Sequence, residues 1–241
     1  SGAFPANRGN ALSSVFEFKQ KDGRDDRLGF RGTVGASDLA LTLEGPIGDK
    51  TTFLVSARRS YLQFLFGLLD LPFLPSYWDF QTKVKYKPDN KNEFTFIGLG
   101  AIDRSVLNLE ANETESQQFL LANLPEQFQW NYTNGIVYKR YQDNGYWTFV
   151  ASRSMLNNES YKYFNNDDSN PDNLIQNYVS QEIENKLRIE NTIRINGYKI
   201  NYGINYEFAK YNNQTFQQIS LPNGQLFTLN IDSEFNMNKY G

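Results

Sequence analysis

The sequence predicts an all-β chain whose strands form one antiparallel sheet, apolar on one face and wet on the other, as in a transmembrane β-barrel wall. Three observations carry that expectation. Apolar and polar residues alternate with period 2 over long runs. About half of the runs exceed the usual strand length and approach the ~9–11 residues that a tilted strand needs to cross a bilayer. The connections between runs alternate short and long, as the turns and loops of outer-membrane barrels do.

Composition narrows the chemistry. The 241 residues include 24 Lys+Arg and 27 Asp+Glu, a formal charge of −3, with no His and no Cys. Triads that use His, thiolate nucleophiles, and His- or Cys-ligated metal and haem sites are therefore excluded, and the near-neutral balance leaves no footprint for nucleic acid. Neither a cofactor nor a catalytic constellation is expected. Aromatics make up 15% of the chain, with 19 Phe, 15 Tyr and 3 Trp, yet mean hydropathy is −0.60. Many rings in a polar average suit a sheet with one greasy and one wet face. The most apolar stretch, Tyr61 to Pro75, carries Gln63 and Asp70 and is too short for a membrane helix, so it reads as a short amphipathic helix or packed loop.

In chain order, Phe4 to Gly9 is turn-like, Leu12 to Gln20 reads as one short alternating strand, and Lys21 to Asp26 reads as a charged linker, placing a boundary near residue 24. Candidate strands follow near 27–35, 38–44, 51–59, 77–87, 93–101, 128–140, 145–155, 178–193, 197–209 and 225–236. The alternation is clearest where Trp78, Phe80, Val84 and Tyr86 oppose Asp79, Gln81, Lys83 and Lys85. Tyr198, Ile200, Tyr202, Ile204, Tyr206 and Phe208 oppose Lys199, Asn201, Gly203, Asn205 and Glu207 in the same way. Tight turns are marked by the Gly, Pro, Asn and Asp residues of 45–50, 88–92, 142–145 and 194–197. Long polar connectors, 60–76, 102–127, 156–177 and 210–224, lie between them.

Parity assigns the faces. Leu39, Leu41 and Leu43, then Trp130, Tyr132, Ile136 and Tyr138, then Trp147, Phe149 and Ala151 belong to a lipid face, with rings near strand ends acting as girdles. Arg31, Lys83, Lys85, Lys139, Glu182, Glu184, Lys186, Arg188 and Glu190 belong to a lumen. In a soluble β-sandwich the same polar parity is simply the solvent face, so that alternative stays open at this point.

The stretches from Phe4 to Gly23 and from Leu41 to Leu62 resemble the plug-to-barrel junction of TonB-dependent outer-membrane receptors, particularly the Bacteroidetes type. The likeness rests on Ala6 to Val15, on the Glu44 to Ile47 turn, and on the strand end Ser56 to Tyr61. It is specific over residues 1–103, whereas 104–241 shares only the barrel rhythm and an Asn-rich composition. The resemblance implies a barrel of roughly 22 strands around an N-terminal plug. Residues 1–24 would then be the end of the plug and a linker, and 25–241 the first part of the barrel. It further implies residence in the bacterial outer membrane, contact with its lipids, and energy coupling through TonB via a region preceding Ser1. A surface lipoprotein lid or a larger outer-membrane assembly is a further possible partner. The function so implied is active import of a nutrient or chelate, and the rival is a non-transporting structural or adhesive β-protein.

Site residues follow at lower resolution. Arg8, Arg31, Arg58, Arg59, Lys83, Lys85, Glu182, Glu184 and Arg188 are candidates for plug or lumen contacts. Being adjacent, Arg58 and Arg59 point to opposite faces. Tyr77, Trp78, Phe119, Tyr161 and Tyr163 are candidates for substrate contacts in extracellular loops, where rings stack on ligands. The oxygen-rich run Asn165 to Asn173 lacks the Gly and terminal Glu of a calcium loop, and Gly98-Leu99-Gly100 lacks the third Gly of a dinucleotide loop. Glu182 and Glu184 share a parity, but the interleaved Lys186 and Arg188 make a charge-balanced wall the better reading than acid/base chemistry.

Overall fold

The computed structural model describes residues 15–222 and 224–241. Ten strands run through them in sequence order: β1 (Gly29–Val34), β2 (Asp38–Ile47), β3 (Thr51–Ser60), β4 (Phe73–Asp89), β5 (Asn92–Leu107), β6 (Glu126–Gln142), β7 (Gly145–Tyr163), β8 (Leu174–Ile195), β9 (Tyr198–Ser220) and β10 (Leu226–Tyr240). Each pairs antiparallel with the next, giving one ten-stranded sheet in the order β1 to β10. The first and last strands do not pair, so the described wall is open. Two helices interrupt it, α1 (Leu62–Leu68) between β3 and β4 and α2 (Glu115–Asn123) between β5 and β6. Neither is long and apolar enough to cross a membrane.

The turns explain why consecutive strands pair. Between β8 and β9 the chain reverses through Asn196 (φ 49°) and Gly197 (φ 83°), left-handed at both positions as a type I′ hairpin requires. Between β4 and β5 the ladder shifts register after Tyr86, and Asp89 Oδ1 accepts from the Lys91 and Asn92 amides at 2.8 and 2.9 Å. The connections β2–β3, β4–β5, β6–β7 and β8–β9 are all tight and lie at one end of the sheet. The helices and the 3₁₀ turns at 164–166 and 171–173 lie at the other.

Register sorts the side chains as parity predicted. One cross-strand row reads Val84, Phe96, Ile136, Ala151, Leu187 and Tyr206 on the apolar face. Toward the tight-turn end, Tyr86 stacks near Phe94 (6.2 Å), Phe94 on Tyr138 (4.6 Å) and Tyr138 on Phe149 (5.6 Å), while Trp147 meets Tyr202 edge-on at 6.2 Å. Toward the loop end, Trp78 stacks with Phe80 and Trp130 with Tyr132. On β9 the apolar row from Tyr198 to Phe208 rises roughly 25 Å at the usual strand tilt, the height of the hydrocarbon band of outer-membrane barrels.

No second layer packs on this sheet. Leu54, Ala111 and Leu121 are the buried apolar residues among those described, whereas Leu41, Ile136, Leu187 and Ile204 stand 57, 55, 55 and 69% exposed on the apolar face. A soluble sandwich would bury that face against another sheet, and none is present among the described residues.

Three expectations are corrected. The strand read over 12–20 is not formed over its described part, 15–20, which pairs with nothing in the sheet. The connectors read over 102–127, 156–177 and 210–224 are much shorter, because β5, β7, β8 and β9 extend beyond the apolar band. Above Phe208 both faces of β9 are polar, as Asn212, Asn213 and Gln214 show, so pairing continues where hydropathic alternation stops. Finally, the 102–127 connector contains α2, capped by Thr114, whose hydroxyl accepts from the Gln117 amide while the Gln117 side chain accepts from the Thr114 amide.

Candidate functional site

The wet face carries its most elaborate side-chain arrangement near the tight-turn end, where residues 20–24 lie across β2 to β4. Period 2 brings Glu44 of β2 and Lys83 and Lys85 of β4 to this face. The crossing segment matches them in charge and order. Lys21 Nζ donates to both Glu44 carboxylate oxygens at 2.7 and 2.9 Å. Lys83 donates to the Gln20 carbonyl at 2.7 Å and lies 2.6 Å from Asp22 Oδ1, and Lys85 donates to Asp22 Oδ2 at 2.7 Å. Glu93 then accepts the remaining charge of Lys85 at 3.6 Å and of Lys87 at 3.2 Å, with the Tyr141 hydroxyl donating to it at 3.4 Å.

Two details show how close the contact is. A Cβ on Gly23 would lie 2.0 Å from the Phe53 carbonyl oxygen, so only glycine lets the segment touch the β3 backbone. Burial works against the Asp22 charge, but the hydrogen bonds from Lys83 and Lys85 outweigh it and bring the carboxyl down to about 2. Beyond the contact, Arg24 grips Asp26 through two hydrogen bonds of 2.8 and 2.6 Å, closing the turn that leads into β1.

Farther along the wet face acids and bases pair with one another. Lys186 lies 2.6 Å from Glu184 and 3.7 Å from Glu207, which in turn accepts from Lys239 at 2.8 Å. Arg188 lies 3.4 Å from Glu190. Glu182 stands opposite Tyr211 on the same face, and Arg31 opposite Thr42. Glu184 is thus held by a lysine and is not part of a free carboxylate pair.

At the loop end Arg58 and Arg59 do point to opposite faces. Arg58 is on the wet face, 2.6 Å from Asp79 and over the Tyr77 ring at 5.3 Å, bridging β3 to β4. Arg59 is on the apolar face, over the Trp78 ring at 4.7 Å. Trp78 therefore belongs to the ring row of the sheet rather than to a loop. Tyr77 reaches Asp38 at 3.5 Å, Tyr161 donates to Glu126 at 2.7 Å and meets Tyr163 edge-on at 6.2 Å, and Phe119 stands exposed on α2. Tyr161 and Tyr163 meet each other and line one cleft with Glu126, but Tyr77, Trp78 and Phe119 are not part of it, so the five aromatics form no common pocket. Arg8 lies outside the described residues.

Residues that sequence reasoning passed over are Lys21, Asp22, Gly23, Glu44 and Glu93, the first three having been read as linker. The signal for them was the pairing of Lys21-Asp22 with an acid on β2 and two lysines of equal parity on β4. Lys162 was also missed. Its buried ammonium donates to the Leu121 carbonyl, to the Leu124 carbonyl at 2.9 Å and to Asn166 Oδ1 at 2.5 Å, tying the C-terminal end of α2 to β7.

No protein-family model matches the chain. No curated protein matches it either. Among solved structures it is similar to the crystal structure of the ferric enterobactin receptor (PfeA) in complex with BCV-L6, at 11% identity and a TM-score of 0.47. The similarity covers 85% of this chain and 34% of that one, so the chain spans about a third of that receptor's length. At that distance the likeness assigns neither ligand nor activity to this chain.

Proposed function

We propose that this chain forms part of the wall of a TonB-dependent outer-membrane importer, with residues 15–24 as the tail of a plug that the wall encloses. The supporting observation is the division of one unlayered sheet. Its apolar face is girdled by rings over the depth of a bilayer, and its wet face holds the preceding segment by ion pairs at Glu44, Lys83 and Lys85. The sandwich alternative lacks a second sheet among the described residues. On this reading the tight turns face the periplasm and the helices the outside. The cargo is a nutrient or chelate that porins do not serve, and force from TonB acts on the plug. No covalent chemistry is assigned.

The absence of cysteine allows a direct test. Asp22→Cys with Lys83→Cys, bridged by a reducible bis-thiol crosslinker that replaces the reach of the lysine side chain, ties segment to wall. Energy-dependent uptake is expected to fall when the pair is crosslinked, to return when the crosslink is reduced, and to vanish in cells lacking TonB. Uptake that ignores both the lock and TonB would overturn import and leave the non-transporting scaffold.

A further inference from the structure

One arginine breaks the segregation of charge. Arg153 of β7 projects from the apolar face, exposed, and its hydrogen bonds go to neutral groups: Nε donates to the Tyr132 hydroxyl at 3.1 Å and Nη1 to Asn185 Oδ1 at 3.0 Å. Arg58 and Arg188 on the wet face each have a carboxylate within ion-pair distance, whereas Arg153 has none among the described residues. Arg59, also on the apolar face, caps the Trp78 ring and so has an evident role. Arg153 has room on its outward side for an anion.

Its surroundings are layered. Register places Asn134, Arg153 and Asn185 in one polar row across β6, β7 and β8, level with Gly98 of β5. The next row toward the tight-turn end is Phe96, Ile136, Ala151, Leu187 and Tyr206. Between the bulky members of that row lies a groove of about 420 Å³, open outward and lined by these residues, with Asn134, Arg153 and Asn185 at its rim. Gly98 lets Asn134 and Phe96 close over β5: a Cβ there would sit 3.0 Å from Asn134 Oδ1 and 3.4 Å from the Phe96 ring. Arg153 stands eight residues beyond the tight-turn end of β7, roughly 20 Å up a tilted strand and near the outer margin of the apolar band.

We propose that this row and groove bind one phosphorylated glycolipid of the outer leaflet, of the lipid A type. The Arg153 guanidinium takes the phosphate through paired N–H donors, the Asn134 and Asn185 carboxamides take sugar hydroxyls, and one acyl chain lies in the groove beneath. Charge complementarity selects an anionic headgroup. The amides beside the arginine select a sugar-phosphate over a bare phosphodiester, and the position toward the helices and loops selects the outer leaflet. This rests on the reading of the sheet as an outer-membrane wall with its tight turns inward.

The test is native mass spectrometry of the protein extracted in mild detergent from the outer membranes of the bacterium that makes it. Wild type, Arg153→Gln and the same-face control Arg59→Gln are compared for retained lipid. Wild type and Arg59→Gln are expected to retain a lipid A-type molecule, and Arg153→Gln to lose at least tenfold in occupancy. Equal retention by Arg153→Gln overturns the site. Retention of a diacyl phospholipid in its place, lost with Arg153, overturns the assigned occupant. Fractionation of the same cells separates these failures from that of the underlying reading. Wild-type protein recovered without detergent in the soluble fraction overturns the membrane wall and the lipid site together, whereas membrane-bound protein without the Arg153 difference overturns the site alone.

Discussion

Asp22 concentrates in one carboxylate the attachment of residues 20–24 to the wall, since both lysines of β4 converge on it. Hydrogen bonds to charged groups contribute about 1.5–3 kcal/mol when sheltered and nearer 1 kcal/mol at partial exposure. Asp22→Asn is therefore expected to raise the undocked fraction of the segment about tenfold, read by electron spin resonance as the mobile fraction of a nitroxide attached at the exposed position Asp25→Cys. Gly23→Ala reaches the same end by sterics, because its methyl meets a backbone oxygen that cannot move aside without disturbing β3. The pH dependence has a definite sign. The carboxyl titrates at about 2 when docked, below its usual value, so the contribution is complete above about 4 and lost as pH falls toward 2. The mobile nitroxide fraction at Asp25→Cys should be flat from pH 8 to 5 in wild type and rise only in stronger acid. In Asp22→Asn that acid-dependent step should be missing.

At the scale of elements, α2 depends on its two ends. Thr114→Ala removes the hydroxyl that satisfies the Gln117 amide and is expected to cost the helix about 1 kcal/mol. Lys162→Met removes the ammonium from the Leu121 and Leu124 carbonyls and should loosen the opposite end. Amide hydrogen exchange checks both. Protection is expected to fall in 115–123 while β6 and β7 below the loop keep theirs. These ends also mark the limit of what the sequence discloses. Every strand was legible where one face is apolar and the other wet, because period 2 is then visible in hydropathy. The ends of β5, β7, β8 and β9 were not, since in stretches such as 210–215 the backbone still pairs while both faces are polar. The helix α2 had a local signature, Thr114 with Gln117 three residues on, which composition as a polar loop concealed. The strand expected over 12–20 failed the other way over its described part, 15–20. Phe16, Phe18 and the charges between them alternate well, but a strand also needs a neighbour to pair with, and no periodicity within one segment reveals that. The docked segment was hidden for a related reason, as Lys21 and Asp22 acquire meaning only when β2 and β4 bring Glu44, Lys83 and Lys85 to one surface.

At the scale of the whole sheet, stability must come from what surrounds it, because a single layer with three buried apolar residues among those described has almost no interior of its own. In water, Leu41, Ile136, Leu187 and Ile204 would remain wetted, and the edges at β1 and β10 would invite aggregation. In a bilayer the same face is solvated by hydrocarbon, and the ring rows at the two margins sit where amphipathic aromatics are most stable. The two environments predict opposite responses to one set of substitutions. Leu187→Arg and Ile204→Arg put charge on the apolar face within the band, where a bilayer penalises it by about 2–4 kcal/mol, and Val34→Arg, near the loop end of β1, should cost about 0–1 kcal/mol. Ser152→Arg and Asn205→Arg, on the wet face of β7 and β9, should change stability by no more than about 0.5 kcal/mol. Reversible unfolding of the protein from lipid vesicles measures all five. A penalty that depends on both face and depth is the expected outcome. Equal tolerance of arginine on the two faces would mean that water bathes both, and the membrane wall would have to be abandoned.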